Sequence, residues 1–307
     1  MTDLRADPLS PIDAATLWPQ LRRLATEVIA TRAGENLLLS SGLAATGLTH
    51  LPRMPRTVVV GLRRGLNYRG VLVGRELAGG AGWELVSLRL VRDKDDEAVI
   101  ALLNAAAQEA ASRGGRTVYQ RMAEGSPHMP AVRRAGLVAY QTEALYALPA
   151  GRTIRETSAF RSAGGPDRHG VFRLYCRAVP EHVRRLEAPT LQDWRAVLDS
   201  FDCESEFVLD HEGALAAWVG IGDREARAIA DWRLEGISDE VLDMVEREAP
   251  RQAVIVLGED QENLRHNALA RGYTALGERL VCARRLAVLN SLKEVVAAPA
   301  ESFALPQ

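Results

Sequence analysis

The sequence predicts an α/β (α+β) chain of two tandem units, each a mixed, mostly antiparallel sheet flanked by helices. Three observations carry that expectation. An order of strand, helix, helix-ending glycine and strand occurs twice, and the step from Val118 to Gly136 is 18 residues, as is the step from Val254 to Gly272. Repetition of this kind is weighed before any finer reading. The length, 307 residues, exceeds what one core usually fills and points to about two. Each half also reads as helix, hairpin, strand, helix, strand, helix, strand, with antiparallel pairing early and strand–helix alternation late.

The elements follow in order. Ile12 to Ala30 places Leu17, Leu21, Leu24, Val28 and Ile29 at helical spacing behind Asp13, which predicts a helix across a sheet. Thr57–Gly61 and Tyr68–Val73 flank a Gly65-Leu-Asn67 turn and read as a hairpin; the echo is Phe207–Leu209, a turn over Asp210–Gly213, and Leu215–Val219. A fourth strand follows in each half, Trp83–Val91 and Ala226–Leu234. The next helix has Val99, Leu102, Leu103, Ala106 and Ala110 on one face with Asp95 or Asp96 as cap. Its counterpart has Ile237, Val241, Met244 and Val245, with Ser238 as cap and Asp239 and Glu240 in the first turn. Val171–Cys176 reads as a strand opening the second unit, and Pro189 begins a helix to about Asp199. The expected boundaries are a first domain over 1–150, a Gly-, Ser- and Arg-rich linker over 151–169, a second domain over 170–290 and a disordered tail over 291–307.

Composition excludes more than it assigns. A 47% hydrophobic and 25% charged chain of net charge −2 is ordinary for a globular protein and offers no overall attraction to nucleic acid or anionic lipid. No apolar run approaches the roughly 18–20 residues that span a bilayer, and Met1–Pro8 lacks signal-peptide character, so a cytoplasmic protein without a membrane partner is expected. Cys176, Cys203 and Cys282 stand far apart, and six histidines, among them His128 and His266, lack ligand spacing. Neither a disulfide framework nor a metal site is expected. The basic stretch from His50 to Arg69 reads as a solvated hairpin edge, with an anion site as the sharper alternative.

The closing element of each half, Arg-Ala-Gly136-Leu and Ala-Arg-Gly272-Tyr, precedes a strand containing Glu143 or Glu278, seven and six residues past the glycine. With the doubled order of elements, this resembles the GNAT superfamily of acyl-CoA N-acyltransferases, over most of both halves. A helix-ending glycine before a strand is by itself common in α/β proteins. The resemblance implies acetyl-CoA as co-substrate, an amine on a small molecule or a protein as acceptor, and a pyrophosphate seat in a Gln/Arg-x-x-Gly-x-Gly/Ala loop after the fourth strand. Helix N-termini and close-approaching glycines favour anions there.

Neither half matches that loop. Val91-Arg-Asp-Lys-Asp-Asp-Glu97 has no glycine and four carboxylates; Arg233-Leu-Glu-Gly236-Ile-Ser-Asp-Glu240 has one glycine and three acids. The family's general-acid tyrosine is replaced by Val132 and Ala268. Tyr119, Tyr146 and Tyr273 read first as core residues. The second half is the less damaged. The candidate catalytic acids are Asp231 and Glu235, since an acid in or beside a half-buried strand costs free energy unless it has a partner or a task; Glu84 is a weaker candidate, and pairing with a nearby arginine is the plain alternative for each. Trp232, Arg233, Leu234, Gly236 and Ser238 are the candidate cofactor-binding residues. Two functions stay open: N-acetyl transfer from acetyl-CoA in the second half, or a non-catalytic tandem module that kept the fold and binds a metabolite or protein.

Overall fold

The computed structural model describes residues 5–9, 13, 17, 20, 24, 26–30, 57–65, 67–92, 95–151 and 159–287, with backbone alone for 26–30. Thirteen strands form one sheet. They are β1 (Arg5–Pro8), β2 (Thr26–Ala30), β3 (Thr57–Arg64), β4 (Asn67–Glu76), β5 (Gly82–Leu90), β6 (Thr117–Ala123), β7 (Val138–Ala147), β8 (Arg161–Ser162), β9 (Cys203–His211), β10 (Ala214–Gly222), β11 (Glu225–Ala230), β12 (Val254–Gly258) and β13 (Thr274–Arg285). The described α-helices are α1 (Asp96–Ser112), α2 (Met129–Arg134), α3 (Arg168–Ala178), α4 (Glu181–Glu187), α5 (Leu191–Ser200), α6 (Ile237–Glu248) and α7 (Glu262–Ala270).

Strand order runs β1-β3-β4-β5-β6-β13-β7-β12-β11-β10-β9-β8, with β2 on β5. The last strand of each half has therefore crossed over. β7 follows β6 in the chain yet pairs with β12, while β13 follows β12 and pairs with β6. The two exchanged strands pair antiparallel with each other, Arg279 opposite Glu143. These two residues each stand seven past their glycine, so the repeat is mirrored about a point between them, and the halves share one hydrogen-bonded sheet.

The repeated glycines explain how each exchanged strand starts. Gly136 and Gly272 have φ of +82° and +84°, a region glycine enters without steric cost. Both lie past a helix end: the Leu137 amide donates to the Val132 carbonyl and the Tyr273 amide to the Ala268 carbonyl. That bond satisfies a carbonyl the helix leaves orphaned and turns the chain into the strand.

One apolar core packs α1 and α2 on β3 to β6, around Trp83, Leu88 and Leu102; a second packs α6 and α7 on β9 to β12, around Val241, Ile255 and Leu264. Across the second half's sheet, α3 and α5 enclose Trp194, Trp218 and Ile229. Burying each such side chain contributes roughly 1.5–3 kcal/mol.

Four sequence readings are corrected and a fifth is narrowed. Val171–Cys176 belongs to α3, because Val171, Leu174 and Tyr175 are buried together at helical spacing. Tertiary burial overrides their strand propensity. The fourth strand of the second half ends at Ala230, short of Leu234, and a turn over Trp232–Arg233 follows. The first helix expected over 12–30 lies mostly outside the described residues, but its last five residues are β2, drawn onto an edge of β5. The cap of α6 is Gly236 with φ +75°, two residues before Ser238. Part of the stretch read as linker is ordered, since Arg161–Ser162 pairs with β9 and α3 starts at Arg168. The tail over 291–307 lies outside the described residues.

Candidate functional site

In the second half, β11 and β12 pair in parallel only from Glu225 to Arg227 and Val254 to Val256. Beyond that they splay. The Gln261 side chain bridges the gap, donating from Nε2 to the Ala228 carbonyl at 2.7 Å and accepting from the Gly258 amide at 2.9 Å. The Arg224 carbonyl already faces β12, accepting from the Val254 amide, and strand alternation turns the polar groups of Ala228 and Ala230 to that same edge. Past Gln261, no strand among the described residues pairs with the Ala230 edge.

The chain then turns into α6. The Leu234 amide donates to the Asp231 carbonyl at 3.0 Å, and no side chain caps the helix. Among the described residues, no acceptor meets the amides of Gly236 and Ser238, which is what an anion needs at a helix start. The acids nearby are less repulsive than their number suggests. Arg271 binds Asp239 at 2.8 Å, Asp243 at 2.6 Å and Glu246 at 3.5 Å.

The equivalent cleft in the first half is occupied. β5 and β6 splay after Leu85 and Gln120, and β2 pairs with the released edge of β5 from Ser87 to Leu90. At the start of α1, the Asp95 carboxylate accepts from the Ala98 amide at 3.2 Å and is held by Arg69 at 2.5 Å. A carboxylate thus caps the first amides of α1, and a strand pairs with the edge of β5 that the splay releases.

At the junction of the halves, ion pairs cross the sheet. Arg75 and Arg121 bind Glu84. Glu143 accepts from Arg121 at 3.3 Å, Arg227 at 3.1 Å and Arg279 at 2.6 Å, and Arg279 continues to Glu225. Burial raises the Glu143 pKa, yet the three arginines outweigh it and hold the carboxyl well below its ordinary range. Glu225 is likewise drawn down to about 2 by Arg279 and Arg227 against the cost of burial.

Glu187, at the end of α4, sits apart from these pairs. Its carboxylate accepts from the Tyr175 hydroxyl at 3.1 Å and has no ion pair among the described residues. Burial raises its pKa, against the pull of Arg227 and Arg121. It lines a cavity of ≈ 60 Å³ at the β11–β12 splay, with Tyr175, Trp194 and Trp218 as aromatic neighbours and Asp260 as a second carboxylate.

The candidates from sequence fall around this site without meeting in it. Asp231 is clasped by Arg233 through two bonds of 2.8 Å, and this partner lowers its pKa. Glu235 is exposed. Trp232 and Leu234 pack partly into the second core, Arg233 is exposed, and Gly236 with Ser238 forms the start of α6. Glu84 is consumed by Arg75 and Arg121. Tyr119 donates to the Leu186 carbonyl at 2.7 Å, and burial lifts its pKa to about 12. Glu187, Gln261 and Asp260 were missed. A carboxylate closing a short helix and a glutamine after a strand carry no local signal; their neighbours come from other elements. No metal-binding group of His, Cys, Asp or Glu exists among the described residues, and no helix there is long and apolar enough to cross a membrane.

No protein-family model and no curated protein matches the sequence. Solved structures do match in fold. The chain is similar to a tandem GNAT protein from the clavulanic acid biosynthesis pathway, at 14% identity and a TM-score of 0.50 over 92% of this chain and 98% of the other. It is also similar to a GCN5-related N-acetyltransferase from Sphaerobacter thermophilus, at 13% identity and a TM-score of 0.52 over 92% and 95%.

Proposed function

We propose that this chain, whose fold is that of tandem GNAT proteins, is an N-acetyltransferase whose second half binds acetyl-CoA and whose first half is a scaffold. One observation carries the reading: only one of the two equivalent clefts is open. The first is closed by β2 and by the Asp95 cap, whereas the second keeps the Ala230 edge and the bare amides of Gly236 and Ser238. Those amides suit a pyrophosphate, and Arg271 draws charge from the acids beside them.

A bound acetyl-CoA supplies a thioester carbonyl to an amine acceptor. The residues position rather than react: the β11 edge orients one partner, the cavity beyond Gln261 takes the other, and holding two reactants in register is itself a large part of such a rate. Asp231 and Glu235 remain proposed proton acceptors at the mouth of the cleft. The Arg233 clasp makes Asp231 a weak base, so it suits orientation better than proton abstraction.

Titration calorimetry of acetyl-CoA into the full chain tests this. One site per chain is expected, lost in Gly236→Glu and retained in Gly236→Asn, since asparagine tolerates the left-handed backbone without adding charge. Absence of binding by the unaltered protein would leave a non-catalytic tandem module as the function.

A further inference from the structure

The cavity at the β11–β12 splay has walls of an unusual chemical balance. Its polar groups are mostly acceptors. Among the described residues, the Glu187 carboxylate is bonded by the Tyr175 hydroxyl alone, Asp260 has no ion pair, and the buried Gln141 Oε1 has no hydrogen-bond partner. Arg227 also reaches the cavity, but its charge is committed to Glu143 at 3.1 Å and Glu225 at 3.3 Å. A buried acceptor left without a donor costs about 1–3 kcal/mol; Gln141 Oε1 is such an acceptor, and with two carboxylates that lack an ion pair among the described residues beside it the wall invites a donor from outside.

The remaining wall is aromatic. Tyr175, Trp194 and Trp218 form a continuous aromatic cluster, with ring centroids 4.8 Å and 5.3 Å apart and the planes inclined by 49° and 73°. Aromatic faces attract cations electrostatically, most strongly where water is excluded. Gly258 contributes by lacking a side chain, because a Cβ there would collide with Asp260 Oδ1 and crowd Gln141 Nε2. The strand is bare at the one point where both polar side chains must fold over it.

We infer that this cavity binds a compact organic cation, a small primary amine held as its ammonium by Glu187, Asp260 and Gln141 against the aromatic wall. The inference rests on the acyl-transfer reading only in naming that amine as the acceptor. Volume limits the class: ≈ 60 Å³ holds about four to six waters at roughly 10–15 Å³ each, which fits a short alkylamine head and excludes a bulky polycation lying wholly within. A lysine or N-terminal amine would enter head first.

The test is calorimetry on the full chain at neutral pH with three named probes, n-butylamine, ethanolamine and tyramine, and n-butanol as the uncharged counterpart of the first. At least one amine binds, n-butanol binds at least tenfold more weakly than n-butylamine, and Glu187→Gln weakens the amine at least tenfold. Asp260→Asn serves as the second variant, with a smaller loss. The inference is overturned if none of the amines binds, if alcohol and amine bind alike, or if both variants bind as the unaltered protein does. Acetyl-CoA titrated separately keeps the two readings apart. Amine binding without donor binding removes the acyltransferase and leaves the cation site, and the reverse outcome removes the cation site alone.

Discussion

At the scale of single residues, Glu187 is a carboxylate kept at the expense of stability. Its folded pKa is raised by burial, so the folded protein binds a proton there more readily than the unfolded chain does. Any stability from that proton is complete below the ordinary carboxylate pKa and is lost as pH rises through the folded value. At pH 7 the buried charge is therefore a cost, and Glu187→Gln raises the melting temperature there. The gain shrinks towards zero near pH 4, where both side chains are neutral. Thermal unfolding of the two proteins at both pH values checks the sign; a variant less stable at pH 7 would show that the carboxylate is paid for by contacts not seen here.

Gly272 makes the opposite case, of a residue that stabilises by what it lacks. Its φ is +84° and a Cβ would meet nothing within 4 Å. Gly272→Ala should cost about 1–2 kcal/mol through the backbone alone, measurable as a lower urea midpoint with unchanged slope. Both repeated glycines were visible in the sequence because the demand they meet is local. Glu187 was not, because its meaning depends on Tyr175 and on two tryptophans from other elements.

Among elements, β2 fills one of the two clefts. Periodicity over 12–30 reads as helical, yet Thr26–Ala30 is a strand because the splay of β5 from β6 leaves an edge of unpaired amides. A buried edge must find a partner. In Ile29→Pro the ring removes one donor from the ladder, and proline fits poorly inside a paired strand. Hydrogen exchange at the amides of Ser87 to Leu90 should then accelerate at least tenfold relative to β4, while acetyl-CoA stoichiometry stays at one because Asp95 still caps α1. Unchanged exchange would mean that β2 does not protect that edge. The turn from Asp231 to Gly236 shows the same limit of local reading. Its residues were singled out as a segment from the sequence, whereas the strand's end at Ala230 follows from the splay.

For the whole molecule, exchange of β7 and β13 turns two repeats into one body. Each closing strand pairs with the other half, and Glu143 draws three arginines from β6, β11 and β13. Breaking a buried charge network is costly, of order 3–5 kcal/mol for a lost partner. Residues 1–151 produced alone would present β7 without β12 and β13, so that fragment should self-associate or aggregate, and co-production with 159–287 should yield a 1:1 complex on size-exclusion chromatography. A monomeric, cooperatively folded 1–151 would contradict the exchange.

What the sequence determined by itself was the repeat, the alternation of strands and helices, the cap of α1, the two left-handed glycines and the acidic loop that leads into α1. Each rests on forces acting within a few residues: periodic burial, capping bonds and backbone sterics. The exchange of strands, the plugging of one cleft and the aromatic cavity around Glu187 were decided only by tertiary structure. Hydrophobic pattern tells a strand which face to bury and leaves its neighbour unnamed, and a carboxylate's charge state follows from what packs around it in space.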